Sequence, residues 1–193
     1  MKLLIVSDTH GSLNEFDEVI KKEEPNVVIH GGDFAIPLDQ ANDKFHHFVY
    51  GNHDVVNETA KKFPHLDSNS KEGMSKFVEV FIESIPKTFK TMEIGGKKFL
   101  LTHFLDGFAN NVKPFLGDKI DKNIIDVIDK YEPDYVIYGH THIAHFDDKS
   151  RKYTIINPGT LSKPKSANDP RTYAIAKQNT SGDFVFEIKK YTL

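Results

Sequence analysis

The sequence predicts an α/β fold, and three observations carry that expectation. Short apolar runs recur at residues 2–6, 27–30, 45–50, 97–102 and 135–138, none with the alternation of a strand that has one wet face. Each therefore reads as a strand covered on both sides. Helical stripes lie between several of these runs, and polar clusters (DTH, GGD, GNHD, TH and GHTH) stand directly after them.

The elements follow in chain order. Ser12 and Glu15 have capping-box spacing, and Leu13, Phe16, Val19 and Ile20 form a helical stripe behind them, so strand, loop and helix make the first unit. Pro25 and Asn26 punctuate before the second strand, and the third ends at GNHD. Strand–helix alternation then pauses over residues 55–86, an insertion in which Met74, Phe77, Val78, Phe81, Ile82 and Ile85 recur at helical spacing. A helix over 71–84 is expected, packed on the sheet or serving as a lid or dimer surface.

Gly95-Gly96 separates two strand-like arms, 88–94 and 97–102, as a hairpin does. Ile120, Ile124, Ile125, Val127 and Ile128 predict a core-facing helix over 118–131. Short strands at 143–146, 153–156, 172–177 and 184–191 complete the chain. No repeat, low-complexity stretch or linker divides it, so one domain over 1–193 is expected.

Composition narrows the chemistry. Hydrophobic residues are 38% of the 193 and charged residues 27%, enough to fill a core. A net charge of −3 gives no global basic field, which disfavours nucleic acid as the main partner. Cysteine is absent, so disulfides, thiolate ligands and a cysteine nucleophile are excluded. No apolar run is long enough to span a membrane, and a cytoplasmic location is expected.

The chain has ten histidines. His30, His46, His47, His65 and His145 are read as ordinary hydrogen-bonded groups. Asp8, His10, Asp33, Asn52, His53, His103, His140 and His142 differ, because each follows a strand on its C-terminal side, where loops of α/β sheets converge. Oxygen plus imidazole suits manganese, iron, zinc or nickel, and there are too many ligands for one tetrahedral ion, so two metals are expected. Within VIYGHTH, Gly139 is expected to permit a tight turn, with alternation along an extended segment sending His140 and His142 to opposite sides.

The ordered series D8-T-H10, G32-D33, G51-N-H53-D54, H103 and G139-H-T-H142 resembles the calcineurin-like metallophosphoesterase superfamily. The short chain with N157-P-G-T160 near its end is similar to the small, single-domain phosphodiesterase branch. The resemblance implies a four-layer αββα sandwich of two mixed β-sheets flanked by helices, with a dinuclear site between the loops. It assigns Asp8, His10 and His142 to one metal and Asn52, His103 and His140 to the other, with Asp33 bridging both. It implies hydrolysis of phosphodiesters by a bridging hydroxide, with manganese as the expected metal and a small phosphoester or nucleotide as substrate. Phosphomonoesters and nucleotides are the alternative substrates, and a scaffold of the same fold is disfavoured because every ligand position is filled. A homo-oligomer is left open.

Metals roughly 3.5–4 Å apart share a hydroxide and clamp the oxygens of an in-line displacement. His53 is not needed as a ligand and is assigned as general acid, oriented or kept protonated by Asp54. Two positions depart from the family pattern. The branch often lacks a histidine in the GNHD position, which draws this chain toward the wider phosphatase pattern. Phe104 stands where glycine is usual, and with Phe108 is expected either to stack a nucleobase or to fill the core.

Overall fold

Leu3 and Ile5 face one hydrophobic core, and Leu4 and Val6 face another, because successive side chains of a strand point to opposite faces. All four are fully buried, as an apolar run without alternation requires. The computed structural model describes residues 1–67, 70–84, 87–105, 128–148, 152–162, 164, 166 and 168–192, excepting the side chains of 77, 78, 81, 82 and 84.

In chain order the first half contains β1 (Lys2–Val6), α1 (Leu13–Glu23), β2 (Val27–His30), α2 (Leu38–Lys44), β3 (His47–Phe48), α3 (Asn52–Lys62) and α4 (Lys71–Ser84). The second half contains β4 (Phe89–Ile94), β5 (Lys97–Thr102), β6 (Tyr135–Ile137), β7 (His145–Asp147), β8 (Thr154–Asn157), β9 (Thr172–Gln178) and β10 (Phe184–Lys190). They form two mixed five-stranded sheets, ordered β10-β9-β1-β2-β3 and β4-β5-β6-β8-β7. In the first, β1, β2 and β3 are parallel; in the second, β5, β6 and β8 are.

Core clusters mark the layers. Phe16 and Val19 of α1 and Ala41 of α2 pack on Leu4, Val6 and Val28 of the first sheet. Leu3, Ile5 and Ile29 meet Phe99, Leu101 and Ile137 between the sheets. Ile128, from helical residues 128–131, packs on Leu100, Val136 and Ile155 at the outer face of the second sheet. Helix, sheet, sheet, helix is the expected sandwich. Gly95 and Gly96, at φ 60° and 77°, close the β4–β5 hairpin as a two-residue turn of this hand requires.

Several local expectations change. Strand β3 has only two residues, and α2 and α3 appear where no helix was expected. Helix α3 grows out of GNHD itself, since Asp54, three residues after Gly51, accepts the Gly51 N–H at 2.9 Å. The expected capping box at α1 does not form: Ser12 makes no side-chain cap, and Glu15 pairs with Arg171 at 2.9 Å. Helix α4 spans the expected residues and packs on α3, but Met74 is 55% exposed while Val80 joins the core on the outer face of the first sheet. Its described buried face runs through Gly73 and Val80, seven residues apart, and so keeps one side of the helix. The lid and dimer readings rest on stripe side chains outside the described residues, as do Phe108 and most of the 118–131 helix.

A buried ion cluster ties α1 to the first sheet. The Glu23 carboxylate lies 2.9 Å from Lys189 Nζ and 3.1 Å from Lys2 Nζ, and accepts the Tyr173 hydroxyl at 2.9 Å. Burial pushes this carboxyl up, but Lys189, Tyr173 and Lys2 outweigh it and hold it at about 2, from an ordinary 4.5. A depressed carboxylate stabilises the fold above its unfolded value and loses that contribution as pH falls through the folded one. Glu23→Gln is therefore expected to remove up to about 2 kcal/mol at neutral pH, allowing for solvent around the lysines. It should also flatten the fall in stability between pH 4.5 and 2, read by denaturant unfolding at stepped pH.

Candidate metal centre

The loops after β1, β2, β3, β5 and β6 converge at the C-terminal ends of the parallel strands, and each delivers residues of the polar clusters. Asp8 is wholly buried. Its Oδ2 accepts the Ser7 hydroxyl at 2.6 Å and the His140 N–H at 3.1 Å, which fixes the carboxylate plane. Its Oδ1 stands 3.2 Å from His142 Nε2 and 4.0 Å from His103 Nε2, without a hydrogen bond of acceptable alignment.

Asp33 sits at the N-terminus of α3, where its negative charge suits the helix dipole. Its Oδ1 accepts the His53 N–H at 2.8 Å. Its Oδ2 lies 3.5 Å from His103 Nε2 and 3.9 Å from His10 Nε2, between the two proposed ligand sets. His103 donates Nδ1–H to the Gly31 carbonyl at 2.7 Å, which turns Nε2 toward the two carboxylates. His10 Nε2 and His142 Nε2 face one another at 3.1 Å, and Asn52 Oδ1 meets His140 Nδ1 at 3.2 Å.

The electrostatics follow from burial opposed by charge. Burial pushes both carboxyls up, yet the imidazoles beside them hold Asp8 and Asp33 below the usual range. Burial pushes His103 down, but Asp33 and Asp8 raise it to about 9. The pair of buried carboxylates therefore holds a countercharge on His103, and a bound cation would displace that proton. Asp8 Oδ1 and His103 Nε2 are buried without hydrogen-bond partners, which is costly unless a cation meets them. With oxygen and imidazole donors converging, the residues fit a divalent metal.

Among the described residues, three groups offer donor atoms within 4.8 Å of one another: Asp8, His10 and His142; Asp8, Asp33 and His103; His10, Asp33 and His53. The first is the set assigned to one metal. The third adds His53, whose exposed ring lies edge-on to His10 at 4.7 Å, close enough to reach the same space.

Backbone conformation explains how short loops achieve this. Asp8, His10, Asp33, His140 and His142 have φ of 54°, 44°, 56°, 69° and 59°, a left-handed conformation that costs non-glycine residues roughly 1 kcal/mol each. Such strain collects where function demands it. It also corrects the expectation for GHTH: His140 and His142 diverge by left-handed turns, not by alternation along an extended strand. Gly139 is needed for space, since a Cβ there would lie 2.0 Å from Ser7 Oγ.

Asp54 does not orient His53. Its oxygens accept the N–H groups of Asp33 at 2.7 Å, Ala35 at 2.9 Å and Gly51 at 2.9 Å, and no hydrogen bond joins it to the His53 ring. Neighbours on a helix do not face each other, so the carboxylate turns inward and clamps the Asp33 loop to the start of α3. Phe104 is 8% exposed, with its ring 4.7 Å from His103 and 4.9 Å from His140, so it packs against these two imidazoles.

Two further groups support these loops. Asn157 Nδ2 donates to the Gly139 carbonyl at 2.9 Å and to Thr141 Oγ1 at 3.0 Å, and Thr160 Oγ1 donates to the Asp8 carbonyl at 2.6 Å. NPGT is thus a buried brace for the loops that carry Asp8 and His140. His30, held neutral by burial at about 3, bonds Thr9 and Gly32; its place directly before GGD was the available signal.

Comparison with known proteins agrees with this geometry. Residues 1–181 match the sequence family described as the calcineurin-like phosphoesterase superfamily domain. A probable metallophosphoesterase of Mycoplasma pneumoniae is 28% identical over 172 residues, spanning 89% of this chain and 86% of that protein. A phosphodiesterase of Methanocaldococcus jannaschii is 31% identical over 166 residues, spanning 82% and 83%. The solved structure of a Streptococcus pneumoniae protein, titled a predicted phosphoesterase, superposes with a TM-score of 0.65 at 18% identity, covering 98% of this chain and 89% of that one.

Proposed function

The chain belongs to the calcineurin-like phosphoesterase superfamily, and from that premise we propose that it hydrolyses phosphodiesters at a site for two divalent metal ions, manganese by preference. The observation that carries this reading is the meeting of two buried carboxylates with imidazoles from four loops, where Asp8 Oδ1 and His103 Nε2 face charged or imidazole neighbours at 3.2–4.0 Å without an aligned hydrogen bond. Asp8, His10 and His142 would hold one ion and Asn52, His103 and His140 the other, with Asp33 shared. When bound, such a pair lowers the pKa of water to give a nucleophile at neutral pH and draws charge from the phosphoryl oxygens.

The chain's own residues do the rest. Asp8 and Asp33 are the anionic ligands, so two dications leave a surplus of positive charge that attracts an anionic ester. Asp54 and the Asn157 brace keep the loops from spreading as that charge changes. His53, exposed beside Asp33, acts from its imidazolium form: one ring N–H proton passes to the leaving oxygen as the P–O bond breaks, and neutral imidazole remains. A cytoplasmic location fits, since among the described residues no helix is long and apolar enough to cross a membrane.

Phosphomonoesters or nucleotides are the second reading, favoured by the exposed histidine at the GNHD position. One metal-stripped preparation, reconstituted with manganese and given a matched aryl diester and monoester, separates the two. Metal-dependent turnover with a diester-to-monoester ratio above unity is expected. A ratio well below unity would replace the diester reading, and turnover in the stripped protein would remove the metal.

A further inference from the structure

Of the histidines outside the ligand set, His30 has a ring that reaches both of the carboxylate-bearing loops. It is fully buried at the end of β2, against Phe45 at 4.5 Å and Phe34 at 5.8 Å. The Gly32 N–H donates to Nδ1 at 3.1 Å, so Nδ1 carries no proton and the neutral ring is the Nε2–H tautomer. Nε2 lies 2.9 Å from Thr9 Oγ1, which has the Phe34 carbonyl as its own acceptor at 3.5 Å. The hydrogen bonds therefore run in one direction, from Nε2–H to Thr9 and from Thr9 to Phe34.

Thr9 stands between Asp8 and His10, and Gly32 directly precedes Asp33. We propose that His30 is a positioning residue that sets the separation of Asp8 from Asp33, and with it the spacing of the two metal ions. This rests on the two-ion reading above. Both loops are left-handed at their carboxylates, and backbone bonds from Asp8 N–H to the Gly32 carbonyl at 2.9 Å and from His10 N–H to the Asp33 carbonyl at 3.0 Å join them in the register that the His30 ring also spans. The imidazole is a rigid spacer between them, which a flexible side chain of equal hydrogen-bonding capacity would not be.

The test is low-temperature electron paramagnetic resonance of the manganese-loaded chain, with bound manganese counted by equilibrium dialysis. Exchange coupling between two manganese ions depends steeply on their separation and bridging, so it reads spacing where a merely structural residue would leave it unchanged. The unmodified chain should give a coupled pair. His30→Leu should weaken the coupling and lower affinity for the second ion at least tenfold, with Thr9→Val acting in the same direction and Thr9→Ser, which keeps the hydroxyl, restoring the coupled signal. Should His30→Leu fail to fold, the Thr9 pair carries the test alone. Coupling unchanged in both His30→Leu and Thr9→Val would overturn the positioning role while leaving the two-ion site intact. Uncoupled manganese in the unmodified chain would instead overturn the two-ion reading and the proposal with it.

Discussion

Asp33→Asn is expected to lower kcat/KM by at least about a thousandfold, equivalent to roughly 4 kcal/mol of transition-state stabilisation, while the chain stays folded. The reasoning is geometric. An asparagine keeps an oxygen for the His53 N–H, now received by Asp33 Oδ1 at 2.8 Å, so the start of α3 survives. What disappears is the negative charge at Oδ2, which faces His103 at 3.5 Å and His10 at 3.9 Å. An amide there is a poor ligand for two ions at once, so bound manganese should fall by one equivalent or more. Circular dichroism, metal content and turnover measured on one sample check each part. Full activity with full metal content would remove Asp33 from the bridging position.

His53→Gln is expected to separate metal binding from proton delivery. The contact that links His53 to Asp33 is made by its backbone N–H, which every substitution but proline retains. Metal content should therefore hold while turnover of an ester with a poor alkoxide leaving group falls about a hundredfold or more. An ester of 4-nitrophenol, whose leaving group needs little help, should be hydrolysed at close to the original rate. An equal loss on both esters with reduced metal content would show His53 acting as a ligand, the role its proximity to His10 and Asp33 also allows. The leaving-group comparison distinguishes the two uses of one imidazole.

The strands that carry the site were legible because burial on both faces leaves an apolar run in any chain, and the polar cluster after each run marks a loop at the sheet edge. Phe45 to Tyr50 shows the limit of that signal. The residues are apolar enough for a strand, but only His47 and Phe48 pair with β2, since the chain must turn early to start α3 at Asn52. Helix α3 was hidden because GNHD reads as a ligand motif, and its second use as a helix start depends on Asp54 folding back onto Gly51.

The residues that converge at the candidate metal centre were legible as types and spacings, yet their conformation was not. Nothing in GHTH announces two left-handed histidines, since that strain is sustained by contacts from Asp8, Asn52 and Asn157 far along the chain. His30 illustrates the same point. One buried histidine has no sequence signature separating it from a ligand or an inert group, and its partners Thr9 and Gly32 are joined to it only by the fold. Asp54 was expected to orient His53 but faces Asp33, Ala35 and Gly51 instead, because adjacency in sequence is not adjacency on a helix.

Counting manganese while measuring turnover tests the central claim most directly. The stripped chain is titrated with manganese, bound metal is measured at each point, and hydrolysis of the aryl diester is followed in the same samples. The two-ion site predicts no turnover without metal, saturation at two equivalents, and activity that rises chiefly with the second. Full activity at one equivalent, or turnover indifferent to metal, would contradict it.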